Sequence, residues 1–193
     1  MAFPPAHFLI GAGFAEVARA SSRRPPPRWA AWAVGGCAAA LPDVDIVLGI
    51  ARGASGAYHG TFTHSVAAAV VWALIGYAFG GGRWAAVVGV GYGSHLLVDL
   101  LDDSGPTNLM LGWPFSGARP YSLGRFFPKV PVEGDGLVDT ALNVLRPDAL
   151  SLLLQQTLLA AACAGALFLL AAAIRRARTR RAGAADAFPH PPA

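Results

Sequence analysis

One uninterrupted apolar stretch constrains this chain more than any other feature. Residues 149–174 (ALSLLLQQTLLAAACAGALFLLAAAI) contain no charged side chain, and RRARTRR follows directly. As a helix rising ~1.5 Å per residue, the stretch is long enough to cross the ~30 Å hydrocarbon core of a bilayer. The composition agrees, because 54% of the residues are hydrophobic and only 13% are charged, against about 25% charged in an ordinary soluble domain. We therefore expect a membrane protein.

Further apolar segments indicate that the chain enters the membrane several times. These segments are residues 6–20, 29–41, 65–80 and 84–101. The second would be roughly 20 Å long as a helix, and we expect a half-span there. We predict an all-α fold, a polytopic membrane helical bundle of about four to five apolar helices with a polar outer-face loop region. Residues 1–174 should form a single domain, and residues 175–193 a basic, disordered cytoplasmic tail.

The arginines predict an orientation. If the five segments alternate in direction, one membrane face receives most of the basic residues, which makes that face cytoplasmic. They are Arg19, Arg23, Arg24, Arg28, Arg83 and the five arginines of 175–181. The opposite face receives four of the five histidines and several aspartates. Because the arginines flank apolar helices, we interpret the net charge of +4 as a signal of membrane orientation and not of nucleic-acid binding. We expect the lipid bilayer as a partner, and no nucleic acid.

One histidine–aspartate pair has the spacing of a metal chelate. His95 and Asp99 are four residues apart in a predicted helix, so both side chains project from the same face. An imidazole and a carboxylate in this arrangement can hold a divalent cation. The alternative is a hydrogen bond between the two side chains near the helix end.

Two aspartates follow the second apolar segment. Asp43 and Asp45 lie in LPDVD, and carboxylates beside apolar segments are costly unless they are paired or bound to a cation. The alternative is that they cap the turn after Pro42.

Three more histidines fall on the same predicted face. His59 and His64 flank GTFT, where Thr63 or Ser65 could cap the next helix. His7 lies in the first turn of the first helix. The alternative is that His59 and His64 are interfacial polar residues and that His7 is a structural histidine.

Taken together, these side chains predict a metal cluster. The expected ligands are His7, Asp43, Asp45, His59, His64, His95 and Asp99. Mixed nitrogen and oxygen ligands suit Zn²⁺, with Mn²⁺ or Fe as alternatives. Because the set is larger than one tetrahedral site uses, two or more ions are expected. Paired metals activate water as a nucleophile, and this predicts hydrolysis of a phosphoester, which could be a lipid.

Several motifs, taken in order, resemble a known family. They are AH at 6–7, LPDVD at 41–45, HGTFTHS at 59–65, HLLVDLLDDSG at 95–105 and WPF at 113–115. The chain resembles the YdjM-type (LexA-binding, inner membrane-associated) membrane-bound metal-dependent hydrolases, which are similar to zinc-dependent phospholipase C and P1 nuclease. The resemblance implies a multi-pass protein of the bacterial cytoplasmic membrane. It also implies that His95 and Asp99 replace an HxxxE metal motif, with His7, Asp43 or Asp45, His59 and His64 as the remaining ligands.

The polar region 102–148 offers candidate substrate contacts. Arg119 and Arg125 could bind a phosphate, and the alternative is that they are cations that reach out to the membrane interface. Two other functions stay open for the chain as a whole. One is a non-catalytic membrane protein with a structural metal cluster or a partner-binding role. The other is a metal transporter, which would need ligands along a path near the bilayer midplane.

Overall fold

A computed structural model describes residues 3–52, 58–103, 107–128, 130 and 137–186 of the protein. Seven α-helices dominate it: α1 (Pro4–Ser21), α2 (Arg28–Ala40), α3 (Val44–Ala51), α4 (Val66–Gly80), α5 (Gly82–Asp99), α6 (Leu137–Val144) and α7 (Pro147–Asp186). A short 3-10 helix (Phe62–His64) precedes α4. Two short strands, β1 (Asp102–Asp103) and β2 (Gly124–Arg125), pair antiparallel. The predicted all-α class is confirmed.

The helices match the predicted apolar segments, with three differences. α3 lies outside the five predicted apolar segments, and α6 lies within the region 102–148 that we predicted to be polar. α7 continues through Asp186, whereas we expected disorder after residue 174. The extension is rich in Ala and Arg, which are good helix formers. The last part of the predicted tail, residues 187–193, lies outside the described residues.

Helix α1 is the centre of the bundle, and it packs closely against α2, α5 and α7. Small residues allow this approach. A Cβ added at Gly11 would lie 2.6 Å from the carbonyl oxygen of Gly35, and one added at Gly91 would lie 2.5 Å from the same oxygen. α1, α2 and α5 therefore meet backbone to backbone, and the residues at their ends are held in fixed relative positions.

Helices α1 and α7 run parallel. The Phe3 amide donates to Oε1 of Gln156 at 2.9 Å, and a Cβ added at Gly13 would contact Ala164 and Leu167. Similar numbers of residues therefore separate the paired positions on both helices, about ten in each. By interpolation, the first turn of α1 is level with about residue 160 of α7.

Helix α7 is the only helix among the described residues that is long and apolar enough to cross a membrane. Helix α4 is apolar but shorter, and it exposes large hydrophobic side chains along its length, among them Val70, Leu74 and Phe79. Helix length and composition thus support one span, and the predicted four to five spans are not confirmed.

Candidate metal centre

The ends of four helices converge on one buried cluster. His7 lies in the first turn of α1, Asp43 just after α2, and His64 at the end of the 3-10 helix that precedes α4. His95 and Asp99 lie in the last turns of α5. The three histidines are fully buried, while Asp43 and Asp99 are 7% and 5% exposed. All five were predicted from the sequence to share a site, and the structure brings them together.

A backbone carbonyl fixes the ring of His95. Its Nδ1 lies 2.7 Å from the carbonyl oxygen of Ala39, which can only accept, so Nδ1 carries the proton. The Nε2 lone pair of the neutral ring is then aimed into the cluster. It lies 3.1 Å from Oδ2 of Asp99 and 3.0 Å from Nε2 of His64. Metal-binding histidines have this arrangement, because a donor bond from one ring nitrogen leaves the other free for the metal.

Asp45 orients two more histidines. Its Oδ2 lies 3.1 Å from Nδ1 of His64 and accepts a 2.6 Å hydrogen bond from the Thr63 hydroxyl. Its Oδ1 lies 3.1 Å from Nδ1 of His59. Both oxygens are thus occupied by protein donors. As a result, Nε2 of His64 is left facing Asp99 at 3.4 Å and His95 at 3.0 Å.

Six buried polar atoms of the cluster have no hydrogen-bond partner among the described residues. They are both ring nitrogens of His7 and both carboxylate oxygens of Asp43 and of Asp99. Buried polar atoms are rarely left unpaired, and such a group calls for an explanation such as a bound ion. Asp99 Oδ1 and His7 Nε2 lie 3.4 Å apart, close enough to share one cation.

The geometry divides the candidate ligands into two groups of three. His7, His95 and Asp99 each offer one ligand atom within 4.8 Å of the others, and so do Asp43, His59 and His64. The groups adjoin, because the Nε2 atoms of His64 and His95 are 3.0 Å apart. The protein therefore has histidine and aspartate groups that could hold a metal. Asp45 belongs to neither group.

The charge balance also calls for a cation. In the described part of the chain, the ion-pair partners of Asp43, Asp45 and Asp99 are all histidines. Three buried carboxylates without a compensating charge would be very costly. Burial raises the pKa of Asp43 to about 6. Burial alone would lower the pKa of His64, but the nearby carboxylates of Asp45 and Asp99 outweigh burial and raise that pKa to about 9. The site thus favours a positive charge, which either a proton or a metal ion can supply.

The cluster lies deep in the bundle. Since the first turn of α1 is level with about residue 160 of α7, the cluster is about 16 Å from the start of the apolar stretch 149–174 and about 21 Å from its end. We had predicted a position at the membrane face. His59 is the most exposed of the seven predicted ligands, at 17%, so the cluster is nearest to the surface on the side of His59.

The two predicted phosphate contacts are both exposed. Arg119 is exposed and donates to Oδ1 of Asn108 at 3.1 Å, while Arg125 is exposed on β2. Their role in binding a substrate stays a prediction. We had left open whether Thr63 or Ser65 caps α4. Ser65 is the cap, because its hydroxyl accepts a hydrogen bond from the Ala68 amide at 3.1 Å.

The sequence reasoning missed three supporting groups. They are the Ala39 carbonyl, the hydroxyl of Thr63 as a donor to Asp45, and Tyr92, whose hydroxyl donates to the Thr63 carbonyl at 2.6 Å. A carbonyl gives no signal in a sequence. The position of Tyr92, one helical turn before His95 on the same helix, could have indicated the third.

The fold and the cluster define an all-α membrane protein with a buried histidine–aspartate centre capable of holding metal ions. The chain belongs to the YdjM inner membrane protein family, because the sequence model of that family matches residues 1–182. Membership indicates the bacterial inner membrane as its location. No curated protein and no solved structure matches the chain.

Proposed function

We propose that this protein is a multi-pass, metal-dependent hydrolase of the inner membrane that acts on a phosphoester, with an amphiphilic lipid as the expected substrate class. The observation that carries the proposal is the set of unpaired, buried ligand atoms on His7, Asp43 and Asp99. The two carboxylates face Nε2 of His64 or His95, and Asp99 also faces Nε2 of His7. Two Zn²⁺ ions would fit the two groups of three ligands, with Mn²⁺ or Fe as alternatives.

The bound metals would lower the pKa of a coordinated water and so supply a nucleophile near neutral pH. The protein's own residues orient the ligands. The Ala39 carbonyl holds His95, and Asp45 holds His59 and His64. Burial excludes bulk water and strengthens electrostatic interactions inside the site. A substrate would approach on the side of His59 and Asp43, where the cluster is nearest to the surface.

We further propose that helices other than α7 enter the bilayer. The exposed faces of α4 carry valine, leucine, isoleucine and phenylalanine side chains, which suit contact with lipid tails. The arginines gather at the opposite end of α1 from His7, since Arg19, Arg28 and Arg175 surround Glu16 there. By the positive-inside rule this end is cytoplasmic, and the cluster opens toward the outer face.

A specific observation favours a second function. Five of the candidate ligands are between 0% and 7% exposed, and closed sites of this kind are typical of structural metals. The alternative is therefore a non-catalytic membrane protein whose metal cluster holds α1, α2, α4 and α5 together, with a partner-binding role. The depth of the cluster also suits a transporter, but its ligands form one compact group, and a transport path would need them at several depths.

The deciding experiment is metal analysis followed by turnover. Wild-type protein is purified in detergent without chelators, beside Asp99→Asn, His64→Ala and the control Asp139→Asn, an exposed carboxylate in α6. We expect about two equivalents of metal in wild type and control, and loss in both cluster variants. Wild type and control should then hydrolyse a chromogenic phosphodiester or a phospholipid in mixed micelles. Metal without turnover would favour the structural alternative, and the absence of metal from wild type would overturn both functions.

A further inference from the structure

A second polar centre lies at the other end of α1, where it is independent of the metal cluster. Glu16 is fully buried, and both its oxygens accept from Arg19, at 2.7 and 3.0 Å. The indole of Trp32 donates to it at 2.9 Å, Arg175 of α7 forms an ion pair with it, and Arg28 lies 3.6 Å away. One carboxylate thus fixes three arginines from three helices.

A cavity of about 380 Å³ opens beside this centre. Arg19, Arg175 and Arg178 line it, together with the hydroxyl-bearing residues Ser22 and Thr179. The guanidinium of Arg178 donates to the carbonyl oxygens of Ala20 and Ser22, at 2.8 and 2.7 Å. These bonds hold the guanidinium at the wall of the cavity. The cavity therefore has prepositioned donors and is large enough for a phosphate group.

The charges at the cavity do not balance. Three arginines line the cavity, and two of them, Arg19 and Arg175, share the carboxylate of Glu16. Among the described residues Arg28 adds a further positive charge 3.6 Å from that carboxylate. Arginine presents its donors in a planar fork that matches the oxygens of a phosphate. An anion with two or more oxygens would therefore complete the charge balance and use donors that Glu16 leaves available.

The position along α7 indicates where such an anion would come from. Arg175 follows directly after the uncharged stretch 149–174, so the cavity lies at the level where hydrocarbon gives way to lipid headgroups. Basic pockets between helices at the cytoplasmic side of a membrane bind the headgroups of anionic lipids.

We infer that the cavity between the end of α1 and the arginines of α7 binds a phosphate group, supplied by the phosphodiester of an anionic membrane lipid or by free phosphate. Arg178 is the residue to change, because it lines the cavity and its guanidinium donates to backbone carbonyls, whereas Glu16 pairs with Arg175. Arg180 is the matched control: it lies on the same helix, about 140° around the axis from Arg175, and does not line the cavity.

The test is native mass spectrometry of the full-length protein released from nanodiscs containing phosphatidylglycerol or only phosphatidylcholine. We expect wild type and Arg180→Gln to retain one phosphatidylglycerol, and Arg178→Gln to retain it about tenfold less well, which equals about 1.4 kcal/mol. Melting temperature in detergent shows that the variants are folded. Asp99→Asn is run beside them, because lipid bound at the metal cluster would be lost there instead.

A parallel titration with inorganic phosphate separates the two sources. Stabilisation of wild type but not of Arg178→Gln by phosphate, without lipid retention, assigns the cavity to free phosphate. Retention of the anionic lipid with no response to phosphate assigns it to lipid. Equal loss in Arg178→Gln and Arg180→Gln, or binding of neither ligand by wild type, would overturn the inference.

Discussion

Replacing Asp45 with asparagine tests whether Asp45 binds metal itself or orients the histidines that bind it. Both oxygens of Asp45 are engaged by protein donors, from His59 and from His64 with Thr63. Asparagine has one carbonyl oxygen and one NH₂ group. In either orientation, therefore, one of the two histidines loses its acceptor and faces a donor. The ring that loses its partner is less well oriented and is a weaker base.

The expected size of the effect follows from this geometry. Loss of an outer partner of a metal-binding histidine typically weakens metal affinity about 10- to 100-fold, which is about 1.4–2.7 kcal/mol. Asp45→Asn should therefore bind the same number of ions as wild type with lower affinity. Asp99 differs, because its two oxygens have no hydrogen-bond donor and face His7, His64 and His95. Asp99→Asn should lose bound metal outright.

The assay is a competition titration of metal-free protein in detergent with Zn²⁺ and a chromophoric chelator. The absorption spectrum of the Co²⁺ form reports ligand geometry separately from affinity. Asp148→Asn, an exposed carboxylate in the first turn of α7, serves as control and should match wild type. If Asp45→Asn loses metal stoichiometry as completely as Asp99→Asn, Asp45 is itself a ligand and the orienting role is refuted.

Two further predictions concern the scaffold that holds the cluster. Gly91→Ala would place a methyl group 2.5 Å from the carbonyl oxygen of Gly35. It should therefore lower the free energy of unfolding by about 1–3 kcal/mol and reduce metal content by shifting α5. As a control in the same helix, the methyl group of Gly93→Ala would meet no atom within 4 Å, and this variant should be neutral or stabilising. Equal thermal melts for the two alanine variants would contradict this packing. Tyr92→Phe removes the 2.6 Å hydrogen bond to the Thr63 carbonyl and should lower stability by about 1–3 kcal/mol, with a melting temperature about 2–4 °C lower per kcal/mol; an unchanged melt would show that the carbonyl finds another partner.

The sequence predicted which residues lie together in the cluster better than it predicted the contacts that each of them makes. The four-residue spacing of His95 and Asp99 was sufficient to place both on one face of a helix, because helical periodicity is a local property. For Asp43 and Asp45, the outcome depended on the backbone that follows Pro42. In an extended chain they would point in opposite directions, but α3 begins at Val44, and both carboxylates reach histidines of the cluster. The separate partners of Asp45 are set by tertiary packing, which spacing alone does not reveal.

Glu16 illustrates a signal that was present in the sequence and was not used. It is the only acidic residue within the first apolar segment, and a buried carboxylate there needs partners. The partners are Arg19, three residues away, and Arg175, which is distant in sequence. The same contacts explain why α7 stays helical beyond residue 174, because Arg175 and Arg178 are tied to the end of α1.

The two polar centres on α1 are nine residues apart, or about 14 Å along the helix, and they have opposite requirements. The cluster at His7 has carboxylates without a compensating charge, whereas the centre at Glu16 has arginines in excess. The segment of α1 between the two centres is apolar and closely packed, with Ile10, Ala12 and Ala15 buried, so it separates them. We therefore expect each centre to gain its missing charge separately. A cation at the histidines and an anion at the arginines meet this requirement, and metal content and lipid retention should change independently in Asp99→Asn and Arg178→Gln.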